Sequence, residues 1–156
     1  MYTFNEIAMK CTPETAFRYA RQVEHWPELL PHYRSTVFHR GGSERGGLVE
    51  MAAIRSFKPY NWPVWWVSEM EVRQDEMIVA YKHIRGVTKG MEVEWRLASE
   101  GESVIVSITH QWDRPPIGRK LASNLIGEMF VHVIADQTLQ GLKLQAEQEG
   151  EVSLYG

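Results

Sequence analysis

Between residues 32 and 112 the runs of strand-forming side chains are joined by connections too short for anything but antiparallel neighbours. Residues 33–40 lead to 47–56 through Gly41-Gly42-Ser43-Glu44-Arg45-Gly46-Gly47, 63–73 lead to 77–85 through Gln74-Asp75-Glu76, and 91–98 lead to 103–112 through Ser99-Glu100-Gly101-Glu102. A parallel pair needs a crossover of a dozen or more residues, so the segment predicts an antiparallel meander. Two of its strands show which face is dry. Met91, Val93, Trp95 and Leu97 alternate with Glu92, Glu94 and Arg96, and Val104, Val106, Ile108, His110 and Trp112 alternate with Ser107, Thr109 and Gln111. In 77–85 the alternation is weaker and places Val79, Tyr81 and His83 inside.

The flanks supply the helices. Tyr2, Thr3, Phe4 and Ile7 favour a strand over residues 2–9. Thr12-Pro13-Glu14 then gives an N-cap, a proline at the first helical position and an acid in the first turn, predicting a short helix to about Arg21. Within His25-Trp26-Pro27-Glu28-Leu29-Leu30-Pro31 the two prolines leave room for one more helical turn. Pro115-Pro116 stops the last strand, and no proline follows, so Ile117 to about Gln148 predicts one helix of roughly 32 residues, about 48 Å long. Leu121, Leu125, His132, Ala135, Leu139 and Leu142 form its stripe, while Ile126, Met129, Phe130, Val133 and Ile134 make the middle apolar nearly all round, so it must be covered on most sides. Gly127 and Gly141 are tolerable there if they gain a close approach to a sheet. The expectation is an α+β domain over residues 1–150 with a tail at 151–156: about seven antiparallel strands, two short helices after the first, and one long C-terminal helix.

Composition narrows the function. The chain has 156 residues, 44% hydrophobic and 24% charged, an ordinary globular balance. No apolar run approaches a bilayer span. A net charge of −3 without a basic block argues against nucleic acid as a partner. The single cysteine, Cys11, and an N-terminus lacking a basic or apolar leader pattern predict a cytoplasmic protein. Six Trp, six Tyr and five Phe are many for this length, and Trp62, Trp65, Trp66, Trp95 and Trp112 fall in one part of the chain, as a bulky core or a wall for an apolar ligand requires. H-E-x-x-H, C-x-x-C, G-x-S-x-G and Walker patterns are missing, and the histidine spacing suggests no metal site, so neither metal nor other cofactor is expected.

The element order, together with Val23-Glu24-His25-Trp26-Pro27-Glu28-Leu29-Leu30-Pro31, Val64-Trp65-Trp66-Val67-Ser68 after Arg55, Gly90-Met91-Glu92-Val93-Glu94-Trp95 and the stretch Phe130 to Lys143, resembles the helix-grip superfamily of START-type lipid transfer, pollen-allergen and polyketide cyclase domains. It is most similar to the polyketide cyclase/aromatase and coenzyme Q-binding branch. That resemblance implies a curved sheet wrapped round the long helix and an inner cavity for a lipid, quinone or polyketide. It also admits a second reading, an aromatase/cyclase that closes or dehydrates a poly-β-keto chain.

Arg55 resembles the cavity arginine of the aromatase/cyclases, where a guanidinium holds a carbonyl or enolate oxygen. Its plainer role is an exposed or ion-paired strand-end arginine. Trp66 resembles the family's strand tryptophan, and Trp95 lies on the dry face by alternation; each either stacks on a flat ligand or fills the core. Trp65 points the other way and is a candidate partner surface, with a homodimer left open. His110, His83 and Tyr81 are the titratable groups placed inside, either as proton shuttles, with His110 and Tyr81 the catalytic candidates, or as hydrogen-bonded core residues. Met129 and Val133 are the ligand-lining candidates on the helix. Glu128 and His132 share a helix face and read as an acid–base or salt-linked pair. The mouth is expected at Phe57, Lys58, Pro59, Tyr60 and around Gly86, because the connections 57–63, 84–90 and 115–117 are the weakest closures.

Overall fold

The computed structural model describes residues 1–57, 60–113 and 131–155. The elements are β1 (Tyr2–Met9), α1 (Pro13–Arg21), a 3-10 turn (Val23–His25), α2 (Trp26–Leu29), β2 (Tyr33–Gly42), β3 (Gly46–Phe57), β4 (Tyr60–Arg73), β5 (Ile78–Gly86), β6 (Glu92–Glu100), β7 (Ser103–Gln111) and α3 (His132–Tyr155). The seven strands form one antiparallel sheet in the order β1-β7-β6-β5-β4-β3-β2. Five of its six pairings are hairpin neighbours, and the sixth brings β1 beside β7, with Tyr2 opposite Gln111 and Met9 opposite Val104. The two short helices therefore carry the chain from one sheet edge to the other.

Local chemistry explains the helices. The Thr12 hydroxyl accepts from the Thr15 amide at 3.2 Å and Pro13 starts α1, as expected. Ala16, Phe17 and Ala20 are buried, and α1 packs on β6, β7 and α3. On α3 the buried side is Ile134, Ala135, Thr138, Leu139, Leu142 and Ala146, a continuous stripe at helical spacing. His132, expected on that stripe, is exposed; its carbonyl accepts from Asn5 Nδ2 at 3.1 Å, tying the helix to β1. At the other end Arg18 pairs with Glu149, and Glu147 accepts from the Lys10 amide. The helix runs on through Tyr155 rather than stopping near Gln148, because no proline interrupts it, so the expected tail continues the helix. Leu121, Leu125, Gly127, Glu128, Met129, Phe130 and the 115–117 connection lie outside the described residues.

Gly141 gains its close approach against an end of α2, not a sheet: a Cβ there would stand 2.3 Å from Leu30 Cδ2. A second correction concerns 57–63, expected to be a loop. The β3–β4 register is unbroken from Gly46–Glu71 to Phe57–Tyr60, so this is a long hairpin with Pro63 inside β4. Pro63 is tolerated because β5 pairs with β4 only from Trp66 onward, which leaves Pro63 on an open edge.

The dry face is as the alternation predicted. Val79, Tyr81, His83, Met91, Val93, Trp95, Leu97, Val104, Val106, Ile108 and Trp112 are all buried. Among the described residues no helix is long and apolar enough to cross a membrane.

Candidate functional site

Toward the β3–β5 side of the sheet the inner residues do not fill the space beneath α3, and a cavity of about 390 Å³ remains. That volume lies within the range of small-molecule sites. Its wall is a connected run of rings. Trp95 lies 5.6 Å from Trp26, Trp26 lies 5.1 Å from Tyr33, Tyr33 lies 6.3 Å from Trp66, and Trp66 lies 5.7 Å from His83. These are ordinary aromatic contact distances, so the rings brace one another while presenting apolar faces inward. Trp26 holds its place by donating Nε1–H to the Tyr19 carbonyl at 2.9 Å. From the helix, Val131, Ile134, Ala135 and Thr138 close the opposite side.

A β-bulge sets one corner. Val67 pairs with Arg85 but Ser68 pairs with His83, so Ile84 is the extra residue. His83 then lies parallel to Trp66, at 5°, and its Nδ1 meets the Thr88 hydroxyl at 2.6 Å. Deeper, Thr138 donates to the Ile134 carbonyl at 2.7 Å, so toward His32 Nε2, 2.9 Å away, its oxygen acts as acceptor and His32 as donor. Two residues that line the cavity each carry a buried polar atom without a partner, the Tyr81 hydroxyl and His110 Nδ1.

Burial keeps these groups uncharged at neutral pH. His83 and His110 are each pushed down to about 3, by desolvation first and by a neighbouring imidazole second, His110 for the one and His132 for the other. His32 falls to about 4 through burial. Desolvation raises the Tyr33 phenol to about 12 and raises Tyr81 as well, with Tyr33 and Glu24 adding to the latter. No lysine, arginine, aspartate or glutamate is among the described residues that line the cavity.

Of the residues singled out from sequence, Trp66, Tyr81, His83, Trp95 and His110 come together on this cavity. Arg55 does not. It shares the inner face with Met51 and Ala53 by alternation, but near the end of β3, opposite Trp62, where the side chain is partly exposed and donates to the Ser56 carbonyl. Val133 is half-buried and off the lining face, which the helical period gives to Val131, Ile134, Ala135 and Thr138. Trp26, Tyr33, Thr88 and Thr138 also line the site and were not singled out as such. Trp26 and Thr138 sat in stretches that carry the family resemblance, and no local pattern separates a packing residue from a lining one.

At the mouth, Trp62 and Trp65 are 52% and 48% exposed yet both reach the cavity, together with Pro63, Val87 and Thr88. Tyr60, part of the expected mouth, is an exposed strand residue, and Lys58 and Pro59 lie outside the described residues.

A seven-stranded antiparallel sheet gripping a C-terminal helix over an apolar cavity defines a helix-grip, ligand-binding fold. The chain belongs to the polyketide cyclase/dehydrase and lipid transport family, whose model matches residues 5–147. Similar solved structures include the protein TTHA0849 from Thermus thermophilus, at 19% identity and a TM-score of 0.72, with 94% of this chain and 97% of that one covered. The Zhui aromatase/cyclase from Streptomyces sp. R1128 is 12% identical, with a TM-score of 0.71 and 95% and 94% covered. The major latex-like protein 151 of Panax ginseng is 14% identical, with a TM-score of 0.65 and 91% and 97% covered. At these identities the likeness is one of fold. No curated protein matches the chain significantly.

Proposed function

We propose that this chain binds one hydrophobic, ring-bearing small molecule, of lipid, quinone or polyketide type, between sheet and helix. The observation that carries the reading is the run of rings from Trp95 through Trp26, Tyr33 and Trp66 to His83 around about 390 Å³ of apolar space. Flat ligands gain by stacking on such a wall, and burial of their surface supplies the affinity. Titration of intrinsic tryptophan fluorescence with quinones, flavonoids, fatty acids and polyketide mimics tests it. Saturable quenching by ring compounds is expected, and no response across the panel overturns it.

The second reading is an aromatase/cyclase, favoured by Tyr81 and His110, two hydrogen-bonding side chains that line one cavity. One feature weighs against it: an imidazole held near 3 is a poor general base at neutral pH. Reconstitution with a minimal polyketide synthase decides. If wild type and Arg55→Ala leave the product spectrum as it is without the protein, the chain is a carrier.

A further inference from the structure

Beyond the body of the sheet, β3 and β4 run on alone. β2 pairs with β3 no further than Ala53, and β5 pairs with β4 only from Trp66, so residues 54–57 and 60–65 pair with each other and with no third strand. At about 3.3 Å per residue, residues 60–65 carry this arm about 20 Å past the point where β5 joins. Ser56 Oγ donates to Asn61 Oδ1 at 2.9 Å across it. A two-stranded hairpin has no core of its own, yet this one holds Tyr60, 66% exposed, the half-exposed Trp62 and Trp65, and exposed Pro63. Ring surface left wet on that scale marks a contact surface. The arm does not offer its backbone, because Pro63 on the open edge of β4 lacks the N–H that an added strand would need. It offers side chains, and Trp62, Val64 and Trp66 carry their face of β4 on into the cavity lining.

Charge is sorted along the same strands. Residues 51–68 and 77–91 hold Arg55, Lys58, Lys82, Arg85 and Lys89 and none of the chain's twenty Asp and Glu. The carboxylates gather toward the far end, with Glu69 and Glu71 on β4 and Asp75 and Glu76 in the turn that follows. Arg85 and Lys89 are exposed beside the base of the arm, where Arg85 stands opposite Val67 and Gly86 opposite Trp66. A chain of net charge −3 thus presents one end that is both cationic and ring-bearing.

We infer that this arm docks on an anionic phospholipid bilayer, with Tyr60, Trp62 and Trp65 at headgroup level and Arg85 and Lys89 against the anionic headgroups. Trp and Tyr favour the membrane–water boundary because each joins an apolar ring to a polar edge. A cation close to an anionic leaflet adds an attraction that salt screens. Docked in this way, the part of the cavity lined by Trp62 and Trp65 faces the membrane. The inference goes beyond the ring-binding reading and holds whichever molecule occupies the cavity.

Cosedimentation of the full chain with phosphatidylcholine vesicles, and with vesicles of which about one-third is phosphatidylserine, tests it at low and high salt. At low salt the chain should bind the anionic vesicles at least about tenfold more strongly than the neutral ones, and high salt should remove most of that excess. Arg85→Gln with Lys89→Gln should weaken binding to the anionic vesicles about tenfold, and Trp62→Ser with Trp65→Ser by a similar factor. Trp62→Phe with Trp65→Phe keeps apolar rings on the arm and guards against loss of folding. On anionic vesicles made with brominated lipid, the wild type should lose tryptophan emission that this Phe pair largely keeps while still bound. No vesicle binding at low salt, binding indifferent to these substitutions, or equal quenching in wild type and the Phe pair overturns the docking. Self-association abolished by the Ser pair, without vesicle binding, overturns it as well and gives the arm to a second copy. None of these outcomes bears on the ring-binding reading, which fluorescence titration without vesicles tests separately.

Discussion

The imidazole of His83 lies flat against the indole of Trp66, with centroids 5.7 Å apart and planes 5° apart, and is fixed from its edge by Thr88 at 2.6 Å. Both His83 and Thr88 are buried, so removing the hydroxyl leaves Nδ1 without a partner and out of reach of water. Thr88→Val, nearly the same shape, should lower stability by about 1–2 kcal/mol. Thr88→Ser, which keeps the oxygen, should restore most of it. Urea unfolding of the three proteins measures this, and equal midpoints for Val and wild type would show that the bond contributes nothing.

The two cavity histidines make stability depend on pH. In the unfolded chain each takes up a proton near pH 6.5; in the fold each resists until about 3. Their contribution is therefore complete above about 6.5 and is lost as pH falls from there toward 3. At pH 5 the loss is on the order of 1–2 kcal/mol for each. Wild type should thus weaken between pH 7.5 and pH 5 by more than a His83→Gln, His110→Gln double variant does. Parallel slopes for the two proteins in urea unfolding would refute the assignment.

Gly86 closes β5 where the chain turns toward the mouth. Its φ is +105°, and a Cβ would stand 2.4 Å from the Trp65 carbonyl oxygen, a backbone atom that has little room to move. Gly86→Ala should therefore cost more than about 2 kcal/mol, since strain and clash add. It should also weaken binding of ring compounds, because the displaced strand carries Trp65 and Trp66. A thermal melt and a fluorescence titration of the variant check both effects.

How far these features could be read beforehand follows from the range of the interactions that make them. Short connections and strict alternation are local, so the meander and its dry face were legible, whereas Trp65, expected to point away from Trp66, is half-exposed and still reaches the cavity that Trp66 lines. Sequence pattern alone placed Tyr81, His83, Trp95 and His110 inside, and the family resemblance pointed to Trp66. Arg55 is not among the described lining residues, because alternation gives the face of a strand but not the depth along it. It shares a face with Met51, yet lies opposite Trp62 near the end of the hairpin. Val133 lies off the described lining for the opposite reason: a helix apolar all round hides its own phase, and only the docked sheet shows that Ile134 and Thr138 are the buried positions. The bulge at Val67–Ser68, which brings Trp66 and His83 together, leaves no mark in either strand.

Access to the cavity is the remaining consequence of this geometry. A ligand enclosed by strands must pass a connection that opens at lower free energy than the sheet. The turn after Gly86 is closed by local bonds, Lys89 N to Gly86 O at 3.2 Å, Gly90 N to His83 O at 2.8 Å and Met91 N to Thr88 O at 3.0 Å, and by Trp112 Nε1 on the Lys89 carbonyl at 3.1 Å. It carries Val87 and Thr88 on the cavity, which Trp62 and Pro63 line as well. Breaking a few turn bonds moves this corner without unzipping β5 from β6, whereas any route through the sheet would sever a ladder. Amides of Lys89 and Gly90 should therefore exchange faster than those of Tyr81 and Val93, and should slow when a ring compound binds and stacks behind Thr88. Hydrogen exchange with and without β-naphthol measures both rates. If the turn and the strands are equally protected in both states, the ligand enters elsewhere and this corner is a fixed wall.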